Sequence, residues 1–349
     1  MISGIHPFSS PYFNYSFETK TESPLIVCPN NEGEQIDLIQ WAQNNQQEIA
    51  NAVKKYGAVV FSGFNLTKES FPKAFQAMTG MAPQKYKGDT PRGEISNNVY
   101  KSTAVASGHH IPLHQEVSGG NRSDMPRYIS FFCEAPPKSG TGHTLVGNAK
   151  AISDDIEKLM PVFWERLKTE TLTYTSRFMP QDSMRTKWTQ MLNPSHATIQ
   201  KRFGTEDHAA VEQKCQEEGL TCRWDGGWAV VSRSGVPGTI ENEGVTLFCN
   251  QVHLDKLNPK LCGGKTNYFF ASALLYQTAA STQFDVEFDD GTQIDPNDAC
   301  QILTIMEKHE AGRNWKKGDL LLIDNITTMH GKTPHNDAEE FRNIHVAMA

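Results

Sequence analysis

The sequence predicts a mainly β protein with α-helical insertions, and three observations carry that expectation. Short apolar runs rich in β-branched and aromatic residues recur along the chain, among them YISFFCEA (128–135), VTLFCNQ (245–251) and DLLLID (319–324). Pro- and Gly-rich connections such as APPKSGTGHT (135–144) separate them. Longer patterns of helical period are confined to the N-terminal part, the middle and one stretch near 296–310.

Taken in order, residues 36–55 (IDLIQWAQNNQQEIANAVKK) place Ile36, Ile39, Trp41, Ile49 and Val53 at helical spacing and run into the strand-like GAVVFSGF at 57–64. A second helix is expected over 68–79, starting KESFPKAFQAM. From about 97 the grammar becomes that of a β-sandwich, with NNVYKSTAV followed by RYISFFCEA. The middle, 149–225, predicts an insertion of helices and loops: AKAISDDIEKLMPVFWERLKTE is helical, DHAAVEQKCQEEG is a charged helix ending at Gly219, and SRFMPQDSMRTKWTQMLNPS between them is polar and irregular. Strands resume at GWAVVSRSGV and GVTLFCNQVHL, the turn DDGTQID leads into the helix near 296–310, and DLLLID with FRNIHVAMA close the series. No internal repeat, low-complexity tract or linker interrupts the chain, so a single domain over 1–349 is expected, with a helical lid or insertion at about 150–225.

The 349 residues are 38% hydrophobic, enough to bury a sizeable core. A net charge of -7 and a pI near 6.0 supply no basic field for nucleic acid or anionic lipid. No apolar run reaches membrane-spanning length and the start MISGIHPFSSPYF lacks the pattern of a secretory signal, so a cytoplasmic protein with a small-molecule partner is expected. The seven cysteines form no pair with a two-residue gap, which disfavours a zinc ribbon or disulfide framework, and Cys133 and Cys249 in apolar runs read as small buried hydrophobes.

The chemistry concentrates in IPLHQE (111–116). On a strand, His114 and Glu116 would share a face, because side chains alternate. His330, in GDLLLIDNITTMHGKTPH (318–335), follows a buried apolar strand that would deliver it to a loop edge. Two histidines and one carboxylate on one face of a metal leave positions open for a co-substrate and oxygen, an arrangement suited to non-haem iron(II) oxygenases. By itself a His-x-Glu pair arises by chance in many proteins, and a lone histidine is more often a hydrogen-bonded core or surface residue.

The surrounding blocks narrow the choice. VYKSTAVASGHHIPLHQE, PRYISFFCEAPPKSGTGHTLVGNAKAI, KWTQMLNP with RFGTEDHAAVEQKCQEEGLTCRW, VTLFCNQVHL, and WKKGDLLLIDNITTMHGKTPH with FRNIHVAMA resemble, in order and spacing, the taurine dioxygenase-like (TauD/TfdA) family of Fe(II)- and 2-oxoglutarate-dependent oxygenases, from about residue 95 to the C-terminus. The resemblance is greatest to the branch of amino-acid hydroxylases from natural-product pathways. It implies a double-stranded β-helix (jelly roll, clavaminate synthase-like) core flanked by helices. It also implies His114, Glu116 and His330 as catalytic iron ligands, Thr144 as a hydroxyl that helps hold 2-oxoglutarate, and Arg342 as the arginine for its distal carboxylate, a task that suits a planar guanidinium fork.

Two departures from the family pattern matter. Many relatives carry a second arginine four residues beyond the first, where this chain has Val346, so an anionic substrate group would need another partner such as His345 or Arg177. The family's halogenases replace the metal-binding acid by a small residue, whereas Glu116 is kept, which argues against halogenation. Asn250, Arg177, Val117 and Ser118 are candidate substrate contacts, His109 and His110 could line the mouth, a loop over 117–127 could close, and Asp324 with Asn325 would organise the turn that orients His330.

The implied reaction couples oxidative decarboxylation of 2-oxoglutarate by O2, giving succinate and CO2, to oxidation of an unactivated C–H bond in an amino acid or amino-acid-derived small molecule. Hydroxylation is the expected outcome. Desaturation or cyclisation of a carrier-bound or peptide-like intermediate is the alternative within the family. A metal-dependent hydrolase or isomerase, or a non-catalytic binding module on the same barrel, are the alternatives outside it; the hydrolase leaves Thr144 and Arg342 without a task.

Overall fold

The computed structural model describes residues 7–17, 23–31, 36–87, 93–102, 109–137, 140–192, 196–272, 283–335 and 342–349. The chain divides into two compact units, one comprising Met1–Asp154, Glu241–Phe248 and Met306–Ala349, the other Asp155–Ile240 and Cys249–Ile305. The first begins with β1 (Phe13–Phe17), β2 (Leu25–Pro29), α1 (Leu38–Asn44), α2 (Gln46–Tyr56), β3 (Ala58–Phe61) and α3 (Phe71–Thr79). It continues through β4 (Glu94–Ser96), β5 (Val99–Lys101), β6 (Ile111–His114), β7 (Tyr128–Ala135) and β8 (Thr144–Asn148) to α4 (Ala149–Leu159), along which the chain passes into the second unit.

There follow α5 (Pro161–Thr169), β9 (Thr171–Phe178), α6 (Met184–Leu192), α7 (Ile199–Phe203), α8 (His208–Glu217), β10 (Thr221–Asp225), β11 (Trp228–Pro237), β12 (Thr239–Asn242) and β13 (Val245–Phe248). β13 lies in the first unit; α9 (Val252–Asp255), α10 (Lys265–Phe270), β14 (Phe284–Phe288) and most of α11 (Pro296–Lys308) lie in the second, and from Met306 the chain runs in the first through β15 (Ala311–Gly312), β16 (Leu320–Asp324), β17 (Thr328–Lys332) and β18 (Asn343–Met348).

The first unit contains an eight-stranded sheet in the order β1-β2-β3-β16-β7-β18-β5-β4 and a four-stranded one in the order β15-β8-β17-β6, besides the β12–β13 hairpin that lies mostly within it. Alternation along the large sheet explains both of its faces. Ala58, Val60, Ile129, Phe131, Leu321, Ile323, Ile344 and Val346 enter one core cluster together with Val146 and Ala311 of the small sheet, so the sheets face each other across it. The residues in between, Val59, Phe61, Phe132, Leu320, Leu322 and Ala347, turn to the opposite face, where Leu38, Ile49, Val53, Phe71 and Phe75 of α1–α3 cover them. The burial is large: truncating one such fully buried phenylalanine, Phe61, to alanine costs about 3–5 kcal/mol.

The helix expected over 36–55 is two helices. Asn45 leaves helical geometry (φ -128°, ψ 26°), and its side chain donates to the Trp41 carbonyl at 2.7 Å, giving the backbone an alternative to continuing the helix. Gly57 then ends α2 with φ 73°, and a Cβ there would stand 2.1 Å from Thr328 Oγ1, so glycine lets α2 close down on β17.

In the second unit β10, β11, β9 and β14 form a four-stranded sheet in that order, and Phe178, Ala229 and Val231 from it pack with Ile199, Phe203, Val211 and Cys215 of α7 and α8. The middle of the chain is therefore not helices and loops alone. TLTYTSRF forms β9, with Leu172 and Tyr174 buried between threonines, and part of the stretch expected to be irregular forms α6.

Candidate metal centre

The small sheet brings the nominated ligands together. His330 lies within β17, directly opposite His114 of β6, with Val146 of β8 on its other side. Ligand atoms of His114, Glu116 and His330 all lie within 4.8 Å of one another. Glu116 Oε2 is 3.4 Å from His330 Nε2, and the two imidazole rings stand 4.4 Å apart between centroids. Glu116 and His330 are each only 5% exposed, so a carboxylate and an imidazole share a dry site that a cation would balance.

The hydrogen bonds around the triad fit a metal. His114 Nδ1 is 2.9 Å from the Pro112 carbonyl, which can only accept, so that nitrogen carries the proton and Nε2 keeps its lone pair for a ligand. His330 Nδ1 is buried and has no hydrogen-bond partner among the described residues. Two imidazoles and one carboxylate are a donor set for non-haem iron(II).

Two local expectations are corrected. β6 stops at His114, and Glu116 sits in the following turn rather than on the strand. His330 lies inside a strand rather than at a loop edge. What places Glu116 is Asn325, whose Oδ1 accepts from the Glu116 N–H at 2.8 Å and whose Nδ2 donates to the Glu116 carbonyl at 3.2 Å and the Pro126 carbonyl at 3.0 Å. Gln115 is buried beside it, with Nε2 donating to the carbonyls of Phe248 at 3.1 Å and Ile326 at 3.2 Å. Asp324 accepts from Arg127 at 2.5 Å and from the Ile326 and Thr327 N–H groups. Its carboxyl is pushed up by burial, against the pull of Arg127 and those two amides.

Thr144 starts β8 and pairs with Lys332, which shares His330's face of β17 two residues on. Lys332 is 4% exposed, and its Nζ lies 3.3 Å from His335 Nδ1. Arg342 precedes β18, donating from Nε to the Gly142 carbonyl at 2.9 Å and from Nη1 to Ser102 Oγ at 3.1 Å. A Cβ on Gly142 (φ 66°) would come within 3.0 Å of both Arg342 Cδ and His335 Cβ, so Arg342 and His335 close on one glycine, and Lys332 adjoins them through His335. Lys332 and Asn325 are the residues the sequence reading passed over in these roles; the alternation that puts Lys332 on the ligand face was the available signal.

The remaining candidates are placed as follows. Val117 and Ser118 are buried in the turn after Glu116; Val117 adopts a left-handed backbone (φ 62°), and the Ser118 carbonyl accepts from Arg122. The 117–127 segment is braced by that bond and by a short 3₁₀ turn at Arg122–Asp124. His109 is exposed, while His110 pairs with Glu310 at 3.0 Å. His345 points to the helix-covered face of β18, against Phe132 and 2.8 Å from Glu134, whereas Val346 faces the inner core, so His345 is not on the ligand side of the large sheet. In the second unit, the Asn250 amide braces a loop through the Gly238 carbonyl and the Val252 N–H. Arg177 lies buried on β9, its guanidinium pushed down by burial and drawn back by Asp285.

A family model described as taurine catabolism dioxygenase TauD, TfdA family matches residues 25–221. The chain belongs to the TauD/TfdA family. The match covers His114, Glu116 and Thr144 and begins well before the region where the sequence blocks resemble the family, though it stops short of His330 and Arg342. This TauD/TfdA chain is 24% identical over 303 residues to a clavaminate synthase-like protein of Arabidopsis thaliana, covering 84% of this chain and 83% of that protein. It is 21% identical over 294 residues to the dapdiamide synthesis protein DdaC of Enterobacter agglomerans, covering 82% and 80%.

Among solved structures it is similar to a taurine dioxygenase from Burkholderia xenovorans (TM-score 0.50, 13% identity, 97% and 89% of the two chains) and to AAD-2 in complex with Mn(II) and N-oxalylglycine (TM-score 0.50, 11% identity, 97% and 96%). The fold is the jelly roll of TauD-like oxygenases, and the TauD/TfdA chain is a non-haem iron, 2-oxoglutarate-dependent dioxygenase. No helix among the described residues is long and apolar enough to cross a membrane.

Proposed function

We propose that the protein hydroxylates an unactivated C–H bond of an amino acid or amino-acid-derived small molecule, with Fe(II) held by His114, Glu116 and His330. The observation that carries this reading is the convergence of the three ligand atoms within 4.8 Å on a buried face. Iron and 2-oxoglutarate, with O2, supply the oxidation: substrate C–H, 2-oxoglutarate and O2 become substrate C–OH, succinate and CO2.

The chain's own part is binding and exclusion. Arg342 grips the distal carboxylate of 2-oxoglutarate, Thr144 donates its hydroxyl beside it, and Lys332, paired with Thr144 across the sheet, adds a second positive charge to that end. His114 is held as the tautomer that presents Nε2. Burial of Glu116 and His330 keeps bulk water from the reacting bond. Val117 and Ser118 flank the acid ligand and are positioned to meet the substrate. The substrate class is supported by the kinship to a protein of dapdiamide synthesis.

The test is anaerobic addition of Fe(II) and 2-oxoglutarate to apo protein, with His330→Ala as control. A visible charge-transfer band present in the native protein and absent from the variant supports the site, and a panel of free and carrier-bound amino acids then reports which compounds stimulate succinate release. Metal-loaded protein without a band would move the reading to a hydrolase or a binding module.

A further inference from the structure

We propose that Asn325 is the positioning residue of the metal centre, clasping Glu116 to the turn that launches the strand of His330; this rests on the iron reading above. Glu116 lies outside any strand, so no ladder fixes its backbone. The fully buried amide of Asn325 takes the ladder's place, accepting from the Glu116 N–H at 2.8 Å and donating to the Glu116 carbonyl at 3.2 Å. Its second donor goes to the Pro126 carbonyl at 3.0 Å, and its own backbone N–H donates to the Arg127 carbonyl at 2.9 Å.

One N–H donor and two carbonyl acceptors fix which end of the amide is oxygen. They also make the residue hard to replace. Aspartate would set lone pairs against two carbonyls, and alanine would leave a buried N–H and two carbonyls without this partner.

A second observation shows that the turn needs holding. Val117, next to Glu116, has φ 62°, a left-handed conformation unfavourable for a β-branched residue. Such a conformation costs about 1–3 kcal/mol and persists only where its surroundings over-determine it. Asn325 grips Glu116 on one side of the strained bond, and Gln115, tied to the Ile326 and Phe248 carbonyls, anchors the preceding residue. With the amide removed, the turn relaxes toward ordinary backbone and carries the Glu116 carboxylate away from His330.

Co(II) titration of apo protein, followed by its visible absorption, tests this with native protein, Asn325→Ala, Asn325→Asp and His330→Ala. Both Asn325 variants are expected to bind Co(II) about 10–100-fold more weakly with a shifted band, the range seen when groups that orient metal ligands are removed. Folded Asn325 variants with native affinity and band, alongside a weakened His330→Ala, would overturn the clasp and leave the metal site standing. Native protein that binds no Co(II), or binds equally well after His330→Ala, would overturn the metal reading and the clasp with it.

Should neither Asn325 variant fold, amide exchange in the native apo protein decides. Slow exchange of the Glu116 N–H before metal is added supports a preset clasp. Fast exchange that slows only with Co(II) shows that the metal, and not Asn325, orders the turn.

Discussion

Glu116 Oε2 and His330 Nε2 stand 3.4 Å apart although one residue belongs to a turn and the other to the middle of a strand. Their approach joins two segments distant in sequence and concentrates two candidate ligands in a site with little solvent. Mn(II) with 2-oxoglutarate should therefore raise the thermal midpoint of the native protein, by about 2.7 kcal/mol of stabilisation at one hundred times the dissociation constant. Glu116→Ala and His330→Ala should remove the shift and lower turnover by at least about 100-fold, beyond the 10–100-fold usual for outer groups. Differential scanning calorimetry with and without metal checks the first expectation, and succinate release the second.

At the co-substrate end, Arg342→Met should raise the KM for 2-oxoglutarate about 10- to 150-fold, the equivalent of a charge-assisted hydrogen bond of roughly 1.5–3 kcal/mol. Lys332→Met should act in the same direction. Gly142→Ala should do so without removing any charge, because its methyl group would press on Arg342 Cδ at 3.0 Å. Unchanged metal affinity in all three variants, measured by Co(II) titration, would separate this effect from damage to the triad.

Asp324 permits a comparison of charge with hydrogen bonding. Burial is the largest influence on its carboxyl and raises its pKa, so the ionised form is itself a cost that Arg127 only partly offsets. Asp324→Asn keeps an acceptor for the Ile326 and Thr327 amides and should change stability by less than about 1 kcal/mol. Asp324→Ala leaves both amides without that acceptor and should cost about 1–3 kcal/mol. Urea melts of the two variants distinguish these outcomes.

On the opposite face of the large sheet, hydrogen bonds from Lys68 and His345 hold the Glu134 carboxyl below the usual glutamate range. A depressed carboxyl pKa contributes stability above the unfolded value, and the contribution fades as pH falls through the folded one. The difference in melting temperature between native protein and Glu134→Gln should thus be constant from pH 6 to 8 and shrink below about pH 4. A difference that grows on acidification would contradict the assignment.

Strands were legible where apolar residues serve both faces of a sheet. DLLLID is continuous because Leu320 and Leu322 meet the helices while Leu321 and Ile323 meet the small sheet. The Asn45 break was not legible, since a side chain returning to the Trp41 carbonyl leaves the apolar period intact. β9 was hidden by threonines that read as polar linker, although Leu172 and Tyr174 keep the period of a strand. At the site, His114 and Glu116 were nominated for a same-face geometry that the turn does not possess; they converge because Asn325 holds the turn, a long-range bond that no local pattern encodes. Thr144 and Arg342 came from resemblance; that Thr144 meets Lys332 required the pairing of β8 with β17, and that Arg342 lies near His335 required the fold around Gly142.

Through its central strands β3, β16, β7 and β18 the large sheet is covered on both faces. Its residues alternate between a core shared with the small sheet and a core shared with α1–α3, so the wall behind the metal centre is greasy on its far face as well. A barrel trimmed to its catalytic strands by removing the first eighty residues would lose β3 and lay bare Phe132, Leu320, Leu322 and Ala347, which now pack in the core shared with α1–α3. Such a fragment would associate through that patch rather than remain dispersed. The N-terminal helices are therefore structural cladding for the oxygenase barrel, and no smaller independent catalytic module can be carved from this chain by discarding them.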